Sequence, residues 1–143
     1  MTTPIQPLHA TAVARATPQG WRGVLIQGPS GVGKSDLALR LIGQGWRLTA
    51  DDWTCLWASD GALYGAAPDT IAGRIEVRGL GVVTAALRPL TRIVLAVQCT
   101  HEAIERLPEP AVLTWQGVTI PQLRLDPRPA SAGQVVATAL AAL

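Results

Sequence analysis

One short segment of the sequence combines the residue types that bind phosphate groups. The segment GPSGVGKS, residues 28–35, contains three glycines, the only lysine of the chain and a serine directly after that lysine. Glycines allow backbone N–H groups to converge on an anion without a Cβ in the way. The order G-x-x-x-x-G-K-[ST] is the phosphate-binding loop (P-loop) pattern, in which the lysine reaches the β- and γ-phosphates of a nucleotide and the hydroxyl binds Mg²⁺. The segment therefore predicts a nucleotide site centred on Lys34 and Ser35.

The elements around this segment have the order that the pattern requires. The residues before it, WRGVLIQG, predict a strand, and a helix is expected to begin within the glycine loop and end near Ile42. Leu37 and Leu41 lie four positions apart on the apolar stripe of this helix. Gly43 and Gly45 follow as stop signals. An ordinary glycine turn in front of a helix is the alternative interpretation, but it does not explain why the only lysine stands there.

A pair of carboxylates at the end of another predicted strand is the second candidate group. Asp51 and Asp52 end the segment WRLTADD. A P-loop enzyme needs a carboxylate at the end of a neighbouring strand, either to hold Mg²⁺ through water or to accept a proton. Two solvated aspartates in a strand-end turn are the alternative. Glu76, in IEVRGLG, is by itself best explained as a polar-face residue of a strand, although nearby arginines and glycines also favour a mobile cationic loop.

The remaining segments complete an α/β pattern, with a mixed sheet and flanking helices in one domain, residues 1–143. The segments expected to contain strands are LHATAVAR before the turn TPQG, the hairpin WTCLWASDGALYG, GRIEVRGLGVV, the apolar run TRIVLAVQC in the sheet centre, and VTIPQLRLD. Pro121 is expected to push the last strand towards a sheet edge. HEAIERL is expected to form one or two helical turns, and SAGQVVATALAAL a helix with Ser131 as its N-cap.

The composition excludes several classes of protein. With 48% hydrophobic and 15% charged residues, the chain is expected to be globular, and its net charge of +2 is too small to indicate a nucleic-acid partner. Cys55 and Cys99 lack the spacing of a zinc or disulfide site, which favours two reduced thiols. The longest strongly apolar run, residues 93–97, is too short for a membrane span, and the N-terminus lacks the apolar core of a secretory signal. We therefore expect a cytoplasmic protein without a membrane partner.

Three of these segments together resemble one family. GPSGVGKSDLALRLI, LTADD and IEVRGLG are similar to the C-terminal catalytic domain of HPr kinase/phosphorylase, a bacterial family that phosphorylates a serine of HPr, the phosphocarrier of the sugar phosphotransferase system. The resemblance is dense over residues 23–83 and thinner over residues 9–128. Many NTPases share the P-loop. The specific part is Asp52, 17 positions after Ser35, followed by the pattern E-[IV]-R-G-[LIV]-G.

The resemblance implies a P-loop fold of the HPr kinase type and assigns roles to single residues. Asp52 would be the general base that takes the proton from the target serine, with Asp51 supporting it, and His9 would be the catalytic histidine on the strand before the P-loop strand. Ser35 and Glu76 would ligate Mg²⁺. The loop residues that would bind ATP are Gly28, Pro29, Ser30, Gly31, Val32, Gly33, Lys34 and Ser35.

A later arginine of the family is matched less closely. Arg106 in IERLP would be the catalytic arginine, although Pro108 stands where the family has glycine. His101 and the five tryptophans match no motif and are interpreted as packing or surface residues. The resemblance further implies a short form without the family's N-terminal domain, assembly as a homo-oligomer of up to six copies, and an altered later loop, LRLDPRPASAG, that weakens the phosphate-dependent reverse reaction.

The sequence thus supports an ATP- and Mg²⁺-dependent serine kinase that acts on an HPr-like phosphocarrier protein. A small-molecule P-loop kinase is the first alternative, but it usually needs a lid insertion and none is visible in the sequence. A nucleotide-binding sensor without transfer activity is the second alternative. Asp52 argues against it, because a protein that only binds nucleotide does not need a second strand-end carboxylate.

Overall fold

The computed structural model describes residues 7–143 and confirms the α/β class with a mixed sheet. The strands are β1 (Pro7–His9), β2 (Thr11–Thr17), β3 (Gly20–Gln27), β4 (Arg47–Ala50), β5 (Trp53–Ser59), β6 (Ala62–Ala66), β7 (Arg74–Val77), β8 (Gly81–Thr84), β9 (Leu90–Cys99), β10 (Ala111–Trp115) and β11 (Val118–Leu125). The helices are α1 (Lys34–Gly43) and α2 (Ala132–Ala141), with one 3₁₀ turn at Asp69–Ile71.

Nine strands form one sheet with β9 at its centre. The order is β1-β5-β6-β9-β3-β2-β4, and β11 also pairs with β9 and carries β10 on its other side. Strands β3, β9 and β11 run parallel to one another, while the other neighbours in this sheet are antiparallel. The carboxyl ends of β3 and β9 therefore lie at the same edge, which is where the P-loop leaves β3. A separate two-stranded sheet, β7–β8, follows the 3₁₀ turn.

The two helices pack on one face of the large sheet. Leu37 and Leu41 of α1 join Val136 and Leu140 of α2 in a buried cluster that also contains Ile26 and other residues of β3 and β9. A second cluster on the opposite face is built from strand residues, which the curled sheet brings together. In the described part of the chain, neither helix is long and apolar enough to cross a membrane.

Helix α1 ends as its glycines indicate. It ends at Gly43, and Gly45 has φ +97°. The N–H groups of Gln44, Gly45 and Trp46 donate hydrogen bonds to the carbonyls of the last turn. The positive φ of Gly45 directs the chain back onto the helix end, where Trp46 is buried in the helix-facing cluster.

Several predicted elements differ in the structure. The predicted strand LHATAVAR is divided at Ala10, so that β1 pairs with β5 whereas β2 pairs with β3 and β4. The segment GRIEVRGLGVV forms two strands instead of one, because Gly79 and Gly81, both at φ +91°, reverse the chain between them. HEAIERL forms no helix. Its apolar side chains Ile104 and Leu107 are exposed, so a helix here would have no buried face.

The C-terminal part contains the other differences. β10 was not expected, and it pairs with β11 through a turn in which Gln116 has φ +47°. β11 is not an edge strand, since it has β10 on one side and β9 on the other. Its pairing with β9 begins only at Gln122, so Pro121 needs no partner on that side. Ser131 precedes α2 as expected, but its side chain makes no capping hydrogen bond.

A stability prediction follows from the close approach of β3 and β9. A Cβ added at Gly23 would lie 2.5 Å from Thr91 Cγ2 and 2.9 Å from Ile93 Cδ1. We expect Gly23→Ala to lower the free energy of unfolding by about 1–3 kcal/mol, as overpacking does in well-filled cores. Gly43→Ala is the control, because nothing lies within 4 Å of its added Cβ. Urea unfolding measures both variants, and equal stabilities would contradict the packing of this strand pair.

Candidate active site

The P-loop connects β3 to α1 through glycines in conformations that favour this residue. Gly28, Gly31 and Gly33 have φ values of +149°, +80° and +118°. A Cβ at Gly28 would also lie 2.9 Å from the carbonyl oxygen of Cys99, and one at Gly33 would lie 3.1 Å from Pro127. The loop therefore needs glycine both for its backbone angles and for its close contacts with the end of β9 and the segment after β11.

Lys34 is a buried cation that has no counter-ion among residues 7–143. Its side chain is 6% exposed, and its Nζ donates hydrogen bonds to the carbonyls of Gly28 and Pro29 at 2.7 and 3.1 Å. Among the ion pairs of residues 7–143, none involves this lysine. A buried charge is costly unless it is paired. The first residue of α1 thus offers an ammonium group, beside a helix N-terminus, to an anion in the loop.

Asp51 lies at the centre of a hydrogen-bond network. Its Oδ1 accepts bonds from the hydroxyls of Ser35 at 2.7 Å and Thr11 at 3.1 Å, and its Oδ2 accepts the backbone N–H of Glu76 at 3.2 Å. The carboxylate is 7% exposed. Strand pairing explains the arrangement, since Thr11 lies opposite Ile26 near the end of the P-loop strand. Both oxygens of Asp51 are therefore used to connect the P-loop, β2 and β7.

Asp52 has a different environment from its neighbour. Its side chain is 59% exposed, and its Oδ1 lies 2.7 Å from Nε2 of His9. An ionised carboxylate can only accept, so Nε2 is the donor. Asp52 has φ +66°, a left-handed conformation that is uncommon outside glycine and often marks functional sites. Its backbone N–H donates to the Thr11 hydroxyl at 3.1 Å, which holds this conformation. Among residues 7–143, the second carboxylate oxygen of Asp52 has no hydrogen-bond partner, and most of the side chain is exposed.

Ser35 and Asp51 fit a magnesium ion. Mg²⁺ prefers oxygen ligands and usually binds through one or two carboxylates, several waters and substrate phosphates. The hydroxyl of Ser35 and the carboxylate of Asp51 supply such oxygens 2.7 Å apart, next to the loop. No group of three or more His, Cys, Asp or Glu side chains within residues 7–143 is arranged to hold a metal ion alone. The donor set is thus of the kind that nucleotide phosphates complete.

The structure brings most of the predicted site residues to one edge of the sheet. The network joins Ser35 of the P-loop, Asp51 and the backbone of Glu76, and His9 joins it through Asp52. Arg106 lies exposed in the irregular segment between β9 and β10. Within the described residues it makes no ion pair, and its catalytic role stays a prediction.

Two residues at the site were missed by the sequence analysis. Thr11 is fully buried and connects both aspartates. In the predicted continuous strand LHATAVAR, its distance of two positions from His9 was a usable signal, because residues two apart on a strand share a face. His101 was interpreted as packing or surface, but its Nε2 bonds the carbonyl of Val32 in the P-loop at 2.9 Å. Only the parallel pairing of β3 and β9 places it there, and no local pattern reveals that.

The cysteines are reduced, as expected, and Cys99 lies directly under the P-loop. Burial raises the pKa of its thiol to about 11, so it remains protonated at neutral pH. Burial also raises the pKa of Cys55. Because a thiolate is the reactive form of cysteine, neither residue is suited to nucleophilic catalysis.

The two arginines of the later loop are paired with carboxylates. Arg128 donates from Nε and from a terminal nitrogen to the carboxylate of Asp126, at 3.0 and 2.9 Å. These bonds lower the pKa of Asp126 to about 2. The depressed value means that the pair persists at neutral pH and is lost only as the pH falls towards 2. Arg124 is bonded to Glu102 at 3.0 Å. Each guanidinium is thus already next to a carboxylate, which lowers the net positive charge that it offers to another anion.

The sequence of the chain matches a known protein family and its members. The family model described as the HPr Serine kinase C-terminal domain matches residues 20–140. The chain belongs to this family. It is 36% identical to the HPr kinase/phosphorylase of Streptococcus thermophilus over 116 residues, which cover 72% of this chain and 38% of that relative. For the HPr kinase/phosphorylase of Streptococcus pneumoniae the identity is 37% over 116 residues, covering 72% of this chain and 37% of the relative. The chain thus spans less than two-fifths of the length of these relatives.

A solved structure shows the same fold. The Hpr(Ser) kinase/phosphatase from Coxiella burnetii superposes with a TM-score of 0.80, covering 96% of this chain and 95% of that chain. The sequence identity is 22%, so this likeness concerns the fold. The predicted P-loop fold of the HPr kinase type is confirmed.

Proposed function

We propose that this protein is an ATP- and Mg²⁺-dependent serine kinase that phosphorylates a serine of an HPr-like phosphocarrier protein. One observation carries the proposal. A continuous set of hydrogen bonds runs from Ser35 of the P-loop through Asp51 and Thr11 to Asp52 and His9. It joins the loop that would bind the nucleotide to an exposed carboxylate that would accept a proton. The names of the curated relatives supply the substrate class.

The P-loop side of the site would bind and orient ATP. Lys34 would leave the carbonyls of Gly28 and Pro29 and turn to the β- and γ-phosphates, whose negative charge replaces its backbone partners. Its charge would stabilise the phosphoryl oxygens as the transferring bond lengthens. Ser35 would hold Mg²⁺, with Asp51 beside it and Glu76 as a further ligand. When bound, that ion supplies additional positive charge to the phosphate oxygens.

The Asp52 side of the site would receive the protein substrate. The carboxylate of Asp52 would take the proton from the serine hydroxyl while the serine oxygen forms a bond to the γ-phosphorus. The bond between that phosphorus and the bridging oxygen of ADP breaks, and ADP leaves with the electron pair. His9, 2.7 Å from Asp52, would keep the carboxylate oriented and stabilise its charge. Arg106 would add positive charge near the phosphoryl group from the adjoining loop.

The exposure of Asp52 favours a protein acceptor over a small molecule. A small-molecule kinase has to enclose its substrate to exclude water, whereas the side chain of Asp52 is 59% exposed. A surface base is reachable by a loop of another protein. The Asp52–His9 pair also argues against a sensor that only binds nucleotide, because such a protein has no proton to remove. We also propose that the protein acts in the cytoplasm as a homo-oligomer, as its sequence resemblance implies.

Parallel incubations with γ-labelled ATP and Mg²⁺ test this function. One contains an HPr-type phosphocarrier, one a mixture of small hydroxyl metabolites, and one no acceptor. We expect label on the serine of the phosphocarrier alone. Label in a small molecule would favour the first alternative, and tight ATP binding without transfer to any acceptor would favour the sensor.

The paired arginines bear on the reverse reaction, which we propose is weak or absent. In that reaction inorganic phosphate attacks the phosphoserine phosphorus, the bond to the serine oxygen breaks and pyrophosphate forms. The attacking phosphate needs a second cationic subsite, but Arg128 and Arg124 are engaged by Asp126 and Glu102. Pro127 and Pro129 further restrict the loop.

The test mixes a phosphorylated phosphocarrier protein with inorganic phosphate and measures pyrophosphate release. We expect little release with the wild type and more with Asp126→Asn, which frees Arg128. Asp69→Asn, a change of an exposed carboxylate in the 3₁₀ turn, is the control and should release no more than the wild type. A wild-type release rate comparable to that of the forward reaction would contradict the expectation.

A further inference from the structure

Trp53 is a residue with a large apolar side chain beside the candidate active site. It follows Asp52 directly, begins β5 and is 45% exposed. Its backbone pairs with that of His9 in the β1–β5 ladder. The two rings also contact each other, with centroids 5.0 Å apart and planes inclined by 37°. Trp53 is therefore held in place from two directions while much of its indole surface remains open to solvent.

The two ends of the hydrogen-bond network would face different substrates, and the exposed indole of Trp53 lies at one of these ends. Ser35 and Asp51 lie at the P-loop end, where the phosphoryl donor belongs. Asp52 and His9 lie at the other end, and the Trp53 ring contacts the His9 ring there. An acceptor hydroxyl has to come within hydrogen-bond distance of Asp52, so the chain that carries it must lie next to the indole.

The chemistry of the Trp53 side chain indicates which kind of group on the protein substrate it would contact. Tryptophan offers a large, rigid apolar surface with few rotatable bonds, and it is enriched among the residues that dominate protein–protein binding energy. The exposed indole therefore lies next to an imidazole that is bonded to a carboxylate. That combination fits an apolar side chain adjacent to the hydroxyl that Asp52 receives.

We propose that Trp53 is a specificity-determining contact for the protein substrate, and that its indole packs against an apolar side chain flanking the acceptor serine. This rests on the proposed kinase function. A contact of this kind contributes mainly to substrate binding. Truncating it is therefore expected to raise KM for the protein substrate without changing kcat or the KM for ATP.

Steady-state kinetics of Trp53→Ala, Trp53→Tyr and the control Trp57→Ala test the assignment. Trp57 lies on the same strand and stacks on Tyr64, away from His9. We expect Trp53→Ala to raise KM for an HPr-type protein about tenfold or more, in the range of binding hot spots. Trp53→Tyr should retain most of the affinity, and Trp57→Ala should bind like the wild type. If Trp53→Ala does not unfold cooperatively, Trp53→Gln replaces it in the same comparison.

The possible outcomes separate this inference from the proposed function. Phosphorylation of the protein by the wild type supports the kinase, whatever the variants do. An unchanged protein KM in Trp53→Ala then overturns the role of Trp53 alone. A raised KM for ATP would place the indole at the nucleotide instead, and a loss confined to kcat would show that Trp53 acts by positioning His9. If the wild type phosphorylates no protein, the kinase proposal itself fails and the inference fails with it.

Discussion

Replacing Lys34 with alanine is expected to weaken ATP binding about 30-fold or more, since truncating one partner of a buried charge pair costs about 2–5 kcal/mol. The reason lies in the environment of Lys34, which is 6% exposed and whose ammonium group bonds two backbone carbonyls and no carboxylate within the described part of the chain. A nucleotide supplies the missing negative charge. Calorimetric titration with ATP and Mg²⁺ measures the loss directly.

The matched control is Arg15→Ala, which removes the same charge from an exposed position. Arg15 lies on β2 and contacts the ring of Trp46 at 5.8 Å, away from the P-loop. The Arg15→Ala variant should bind ATP with the affinity of the wild type. Thermal unfolding of both variants tests whether the fold is intact. Unchanged ATP affinity in Lys34→Ala would refute the nucleotide site.

Asp52→Asn is expected to bind ATP almost normally and to lose transfer about 10²–10⁴-fold, as is typical when a general base is removed. The substitution is structurally conservative, because asparagine also tolerates the left-handed conformation that Asp52 adopts at φ +66°. It removes the proton acceptor and leaves the bond to the Thr11 hydroxyl, which the backbone makes. Single-turnover transfer with saturating ATP separates this effect from binding.

A control for this variant is available in the β5–β6 turn. Asp60 is also an aspartate with positive φ, at +51°, so Asp60→Asn repeats the chemical change outside the site. It should transfer phosphate normally. Asp51→Asn is expected to damage ATP and Mg²⁺ binding as well, because Asp51 bonds Ser35. Normal transfer by Asp52→Asn together with inactive, nucleotide-binding Asp51→Asn would show that the two roles are reversed.

The parts of the site that local sequence determines could be predicted. Eight consecutive residues define the P-loop, and the helix signals after it agree with the observed Lys34–Gly43. The strand-end position of Asp51 and Asp52 follows from the two carboxylates that end the segment WRLTADD. These features depend on neighbours in the chain, so composition and spacing were enough.

The parts that depend on distant pairing could not be derived in the same way. His101 reaches the P-loop only because β9 runs parallel to β3. The division of LHATAVAR at Ala10 follows from the curling of the sheet, which gives β1 and β2 different partners. HEAIERL has helical spacing, but Leu107 is 90% exposed, so tertiary packing offers nothing to stabilise a helix there.

The most direct test of the central claim is a single-turnover reaction with an HPr-type protein, followed by intact-mass analysis and mapping of the modified residue. The account predicts one phosphate on one serine of the acceptor. The product should be absent when that serine is replaced by alanine and strongly reduced with Asp52→Asn. An unmodified acceptor in the presence of bound ATP, or a phosphate that maps to a residue other than serine, would contradict it.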